Sequence, residues 1–250
     1  MIKVITIITK FIIVTLIAIL FGSCKYAVNS DGLSKIINGS GNVTTENRIV
    51  SEDFKRIEVS NAIDLIIEQA NQTEIIVEAD DNLQKDIITK VENGVLKISC
   101  KYNSFINVKS RKVRVKMPVI EGLEASSASN IKSTNTLKGE NILVRASSAA
   151  DIDLSLEFDA ISCKTSSGSA VNIEGKALKL ETTASSGSDI NAEDLLVNDV
   201  IADVSSGASI STHPIVSLQA EASSGGDITY NIRPKTIQKK SSSGGSIELD

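Results

Sequence analysis

An eight-residue pattern centred on a serine doublet recurs seven times between Glu124 and the C-terminus. The copies read EASSASNI, RASSAADI, KTSSGSAV, TASSGSDI, DVSSGASI, EASSGGDI and KSSSGGSI. They begin at Glu124, Arg145, Lys164, Thr183, Asp203, Glu221 and Lys240, at intervals of 18 to 21 residues. A period near 20 held through half the chain predicts a solenoid, in which each copy stacks on the last. Leu180, Thr182 and Ala184, Val200, Ala202 and Val204, and Leu218, Ala220 and Ala222 alternate with mostly polar residues before the doublets. That period of two makes the unit β, with one set of side chains inward and the other in water.

After each doublet an aliphatic falls at one place: Ile131, Ile152, Val171, Ile190, Ile210, Ile228 and Ile247. One per coil predicts a stacked interior ladder. About 20 residues at roughly 3.3 Å each enclose a narrow tube, filled by one layer of side chains from each wall. Ser-Ser-Gly is corner chemistry, because the hydroxyls bond nearby backbone and Gly accepts positive φ. A serine repeated seven times with no base beside it is not a nucleophile.

The residues just before the ladder are Asn130, Asp151, Ala170, Asp189, Ser209, Asp227 and Ser246, with no two acids consecutive. Coils about 4.8 Å apart would bring successive carboxylates into repulsion, and skipping a coil about doubles their separation. A calcium column is the functional alternative, although the Gly-rich calcium-binding nonapeptide is absent.

The first 23 residues form a signal peptide, with Lys3 and Lys10 preceding the aliphatic run Phe11 to Phe21. Leu20-Phe21-Gly22-Ser23-Cys24 resembles a bacterial lipobox, which makes Cys24 the acylated first residue of the mature chain; secretion with a free Cys24 is the alternative. Removal of that segment takes away two lysines and moves the formal charge from -5 to -7. An acidic exported chain is a poor nucleic-acid binder. Residues 24–38 read as a tether, and 39–250 as one β-solenoid domain, with a less regular cap to about 120 and regular coils from about 121.

Within the cap, Val59-Ser60-Asn61-Ala62-Ile63-Asp64-Leu65 resembles the later repeats and reads as an atypical coil. Glu74 to Ala79 is a β run, and Asp80 to Lys90 a short helix or loop. Asn93-Gly94 signals a hairpin. This third of the chain is expected to cover an open end of the solenoid.

The order of Phe54 to Leu65, Glu78-Ala79-Asp80-Asp81-Asn82-Leu83, Val113-Arg114-Val115-Lys116-Met117-Pro118 and the Ser-Ser-Gly coils resembles the family called putative auto-transporter adhesin, head GIN domain. This is a domain of unknown function common in Bacteroidetes lipoproteins. The resemblance covers about residues 50 to 250. It implies an all-β, right-handed parallel β-helix-like fold and a location in the cell envelope, at the outer membrane, without an established activity.

Catalytic ingredients are scarce. His213 is the sole histidine and, with Pro214, reads as a turn residue, so Ser-His-Asp and zinc arrangements lack their usual parts. Cys100 and Cys163 follow inward positions and are expected as buried free thiols. No cofactor is implied. Lys109, Arg111, Lys112, Arg114 and Lys116 crowd eight residues, with Lys112, Arg114 and Lys116 on one strand face. They are either a solvated face that discourages edge pairing or a contact for anionic glycan or lipid headgroups. Near the far end, Arg233, Pro234, Lys235, Lys239 and Lys240 would hinder end-to-end stacking.

These features point to a lipid-anchored envelope solenoid that binds without catalysis, its membrane contact made through the N-terminal lipid. A glycan or envelope protein would contact Lys112, Arg114 and Lys116, or the exposed ladder residues Asn172, Asp189, Asn191 and Asp227. A carbohydrate-active enzyme using carboxylates on a β-helix scaffold is the alternative, although aromatic content is 3% with no Trp. An end-to-end structural element is the third reading.

Overall fold

The computed structural model describes residues 36–250; the expected signal peptide, Cys24 and all but three residues of the expected tether lie outside the described residues. In chain order the strands of the first part are β1 (Ile36–Asn38), β2 (Val43–Arg48), β3 (Arg56–Val59), β4 (Asp64–Gln69), β5 (Glu74–Asp80), β6 (Ile87–Glu92), β7 (Val95–Cys100), β8 (Ser104–Ile106) and β9 (Arg111–Met117). There follow β10 (Gly122–Ala125), β11 (Asn130–Ser133), β12 (Leu137–Ser147), β13 (Asp151–Ser166), β14 (Ala170–Ser185), β15 (Asp189–Val204), β16 (Ser209–Ala222), β17 (Asp227–Tyr230), β18 (Thr236–Ser241) and β19 (Ser246–Leu249). One 3-10 turn, Gln84–Asp86, occupies the stretch expected as a short helix or loop.

From β10 onward the strands stack in parallel register, coil on coil, as the repeat predicts: a β-solenoid of about 7 turns, about 19 residues apart. Ile131 pairs with Ile152, Ile152 with Val171, Val171 with Ile190, Ile190 with Ile210, Ile210 with Ile228 and Ile228 with Ile247. All but the last are fully buried, because no coil covers Ile247. Each buried aliphatic contributes about 1.5–3 kcal/mol, so the ladder is a main source of stability. The row before the doublet, Ala125, Ala146, Thr165, Ala184, Val204 and Ala222, is buried too. Its small side chains fit where two walls converge.

Each serine corner is a tight turn with two successive residues at positive φ, for example Ser186 at 57° and Gly187 at 65°. In several coils the turn closes with an N–H to C=O bond three residues back, such as Gly226 to Ser223 at 2.9 Å. Positive φ at both central positions is the signature of a type I′ turn. The second central residue also donates to the next coil: Gly187 N–H to Ser206 C=O at 3.1 Å, and Gly207 N–H to Ser224 C=O at 3.2 Å. The backbone ladder therefore runs unbroken around the corner. The side-chain hydroxyl that fixes the turn belongs to the residue after Gly rather than to the doublet. Ser188 Oγ donates to Ser185 C=O at 2.8 Å, and Ser169 Oγ to Ser166 C=O at 2.9 Å.

The atypical coil is present at the N-terminal side. Asn61 and Ala62 take φ of 66° and 54°, and Ala62 N–H donates to Ser127 C=O at 2.9 Å. Strands β3 and β4 lie in parallel register beneath β10 and β11. Below them, β7 and β9 form a further layer, parallel to β3 and β4. Chain order and coil order therefore part: the chain builds β3–β4, then the layer beneath, then returns above. In that base layer residues 101–110, including β8, replace the tight turn, and β8 pairs with β1. Ile36–Asn38, expected in the tether, are thus part of the domain.

Beneath the base layer the chain turns antiparallel. The Asn93-Gly94 hairpin joins β6 to β7, while β5 pairs with β9 and β2 with β5. The first third thus lies across one end of the coils. Asp80 ties it together: its buried carboxylate accepts the N–H of Gly41 at 2.8 Å through Oδ2, and those of Lys109 and Ser110 at 3.0 Å through Oδ1. Gly39 is required beside it, since a Cβ there would stand 2.5 Å from Asp80 Oδ2 and 2.7 Å from Asn107 C=O.

Among the described residues nothing covers the opposite end, and every residue of β18 is exposed. Lys239 continues the inward position of Ala220, and its ammonium lies 4.5 Å from the centre of the Tyr230 ring and 3.1 Å from Ile247 C=O. A charge over the mouth of the tube opposes the docking of another coil.

Candidate functional site

The corners leave long strand faces whose outward side chains align. In the column before the ladder, Lys112, Asp64, Asn130, Asp151, Ala170, Asp189, Ser209, Asp227 and Ser246 follow one another in register. Ala170 apart, the neutral neighbours of the acids include donors. Asn130 Nδ2 donates to Asp64 Oδ1 at 2.7 Å, and the Ser209 and Ser246 hydroxyls donate to Asp189 and Asp227. Alternation thus separates like charges and also supplies each of these carboxylates with a hydrogen bond. Among the described residues no group of three or more His, Cys, Asp or Glu is placed to hold a metal ion.

The column after the ladder runs Lys132, Asp153, Asn172, Asn191, Ser211 and Thr229. Asn172 Nδ2 donates to Asp153 Oδ1 at 2.8 Å, and Asn191 Oδ1 accepts the Glu193 N–H at 3.2 Å. Lys132, Asp153, Asn172, Asn191 and Asp194 line a shallow groove of about 260 Å³. Of the four ladder candidates, Asn172 and Asn191 therefore share a concavity, whereas Asp189 and half-buried Asp227 sit in the neighbouring column, each engaged by a serine.

Lys112, Arg114 and Lys116 do lie on one face of β9, but β9 is no edge, since β4 and β5 flank it. The reading of this face as a guard against edge pairing is corrected accordingly. Its charges are answered across the sheet. Glu78 lies 3.6 Å from Lys112 and 3.4 Å from Arg114, and Lys116 lies 3.4 Å from Glu74 and 3.9 Å from Glu68. Burial alone would raise the Glu78 carboxyl; the Lys112 charge, with bonds from Arg114 and Ser110, outweighs it and holds the group below its ordinary value. An anion approaching this strand meets cations that already have partners.

A third surface escapes the period-two reading. At the corner opposite the ladder's run of polar columns, aliphatic side chains face outward in successive coils: Leu178 is 55% exposed, Leu196 47%, Ile215 40% and Ile232 43%. Leu178, Leu196 and Ile215 line one groove of about 620 Å³ with Phe158 and Lys176. Ile232 occupies the same corner one coil on, between the pairs Thr212 with Tyr230 and Ser217 with Thr236. The signal was in the sequence as apolar doublets, Ala177-Leu178, Leu195-Leu196 and Ile215-Val216, where strict alternation calls for a polar residue.

Cys100 and Cys163 are free and buried, and burial pushes the Cys163 thiol up to about 12. His213 lies within β16 rather than in a turn, its Nδ1 3.2 Å from Glu193 C=O. Among the described residues that ring nitrogen meets a backbone carbonyl rather than a nucleophile.

No curated protein matches the chain. Solved structures with the same architecture include a putative adhesin from Bacteroides fragilis NCTC 9343, with a TM-score of 0.79 at 20% identity, covering 86% of this chain and all of that one. A putative lipid binding protein from Parabacteroides distasonis ATCC 8503 is similar at a TM-score of 0.72 and 21% identity, covering 86% of this chain and 100% of that one. A putative adhesin from Parabacteroides merdae ATCC 43184 gives 0.68 and 22%, covering 86% and 99%. At such identities the likeness is one of fold. Residues 53–234, carrying the atypical coil and most of the serine corners, match the family described as "Putative auto-transporter adhesin, head GIN domain", and the chain belongs to that family.

Proposed function

We propose that this protein is a non-catalytic binding module of the cell envelope, held at the outer membrane by an acylated Cys24 and engaging a glycan or envelope protein along its polar coil face. The carrying observation is the groove lined by Lys132, Asp153, Asn172, Asn191 and Asp194. It offers amide, carboxylate and ammonium groups at the regular spacing of a parallel sheet, about 4.8 Å per coil, which suits a ligand that itself repeats. The adhesin names of the family and of the solved relatives agree with a binding role.

The test is binding of the protein to an array of host and bacterial glycans, beside an Asn172→Ala/Asn191→Ala variant and a Lys112→Ala/Arg114→Ala/Lys116→Ala variant. Loss in the first variant alone supports the groove. Loss in the second alone moves the contact to β9. Absence of glycan binding, together with failure to retain any envelope protein, refutes the reading. Anchoring is tested separately by incorporation of labelled fatty acid, which Cys24→Ser should abolish.

A further inference from the structure

Large aliphatic side chains exposed near one corner in four successive coils require an explanation, since the other exposed large aliphatics lie toward the two ends of the solenoid: Ile36, Val43, Ile49, Ile88, Ile106 and Val119 in the cap and Ile237 and Leu249 in the last coil. A contiguous apolar strip rimmed by polar residues marks a surface that meets another apolar phase. Leu178, Leu196 and Ile215 line one groove with Asn198 among them, Ile232 follows one coil on, and the charges in the groove itself are balanced, Lys138 and Lys176 against Glu157 and Asp159. Lys138 and Lys176 flank it, each 2.9 Å from Glu157. Arg233 and Lys235 adjoin Ile232 in sequence, and Lys179 adjoins Leu178 with Asp199 as its register partner on the next coil; none of the three cations is in an ion pair with the described residues. Asp159 is the other acid lining the groove. Exposed aliphatics with Arg233 and Lys235 next to them at Ile232 match the boundary between acyl chains and anionic headgroups.

The position of the strip fits the same surface. Ile36 pairs with Ser104 in the base layer. From Cys24 to Ile36 an extended chain spans at most about 40 Å. At about 4.8 Å per coil, Leu178 lies only about 20–25 Å along the solenoid from that layer. A chain fixed to a bilayer at Cys24 can therefore bring this corner down onto it.

We infer that the Leu178, Leu196, Ile215 and Ile232 corner is a membrane-contact edge, which lays the solenoid along a bilayer bearing anionic phospholipid and turns the serine corner away. The inference rests on the lipid-anchored reading above. The corner grips weakly by itself; the anchor supplies the local concentration that makes the contact persist.

The experiment uses the full lipidated chain in vesicles of phosphatidylethanolamine and phosphatidylglycerol. An environment-sensitive dye is placed by Leu178→Cys, by Leu196→Cys as a second ridge position, and by Ser186→Cys at the serine corner; Cys100 and Cys163 are buried. Flotation reports anchoring, and quenching by spin-labelled lipid reports contact. The expected result is several-fold stronger quenching at positions 178 and 196 than at 186, reduced when Lys179, Arg233 and Lys235 are each changed to Glu. Flotation with equal quenching at all three positions overturns the membrane edge and leaves the anchor standing. Failure to float overturns both.

Discussion

Replacing Asp80 by Asn tests whether the covered end depends on one buried carboxylate. In the wild type Oδ1 accepts the Lys109 and Ser110 N–H groups at 3.0 Å and Oδ2 accepts that of Gly41 at 2.8 Å. An asparagine can keep its oxygen toward residues 109 and 110, but its NH₂ then faces the Gly41 N–H. One hydrogen bond to a charged group is lost and a buried donor is left unmatched, which together cost about 2–3 kcal/mol. Burial pushes the Asp80 carboxyl up, yet the three backbone donors more than offset it and hold the group below its ordinary 3.8. A depressed folded-state value contributes stability that is present above the unfolded value and is lost as pH falls through the folded one. Urea denaturation at pH 7 should therefore show the variant less stable by that amount, and the gap should narrow as the pH is brought below about 3.8. A variant within about 0.5 kcal/mol of wild type at pH 7 would refute the reasoning, as would a gap that does not change with pH.

Two glycines separate conformational need from steric need. Gly187→Ala has open space around its Cβ at φ +65°, and Ala already fills that place at Ala128 and Ala149, so it should cost about 1–2 kcal/mol in a denaturant melt. Gly175→Ala puts a Cβ 2.1 Å from Leu156 C=O at φ +118° and should cost more than about 4 kcal/mol or abolish folding; equal costs would contradict the geometry. Thiol titration at pH 8 should leave Cys163 unlabelled until denaturant is added, and fast labelling in the native state would contradict its burial. Glu78→Gln unpairs Lys112 and Arg114, so it should delay elution from an anionic resin while changing stability by about 1 kcal/mol or less; unchanged elution would show that those charges were already available.

The coils were legible because one pattern returns with one period: Ile131 to Ile247 could be aligned without knowing any contact. Asn61-Ala62 was legible for the same reason. The base layer was not, because β7 and β9 pair with strands that precede them by 39 and 48 residues, and coil order departs from chain order there. No periodicity reports such a return. The basic face of Lys112, Arg114 and Lys116 was visible, but the partners of these three, Glu68, Glu74 and Glu78, lie on β4 and β5, so an apparently free face is a balanced one. The polar columns were read correctly as outward, yet only register shows that Asn172 and Asn191 share a groove while Asp189 and Asp227 are held by serines. Leu178 and Leu196 were hidden by the very alternation that revealed the fold.

The cover at one end and the bare β18 and β19 at the other give the solenoid a mechanical polarity. Its hydrogen bonds between coils run along the axis, so a load applied to the last described coil, with the Asp80 end held, stretches them at one coil boundary at a time. The outermost coil, with β18 exposed throughout and Ile247 uncovered, yields first. Each released coil of about 19 residues lengthens the chain by roughly 60 Å at about 3.3–3.6 Å per residue. A solenoid so built lengthens stepwise under load, while the end locked around Asp80 is the last to open.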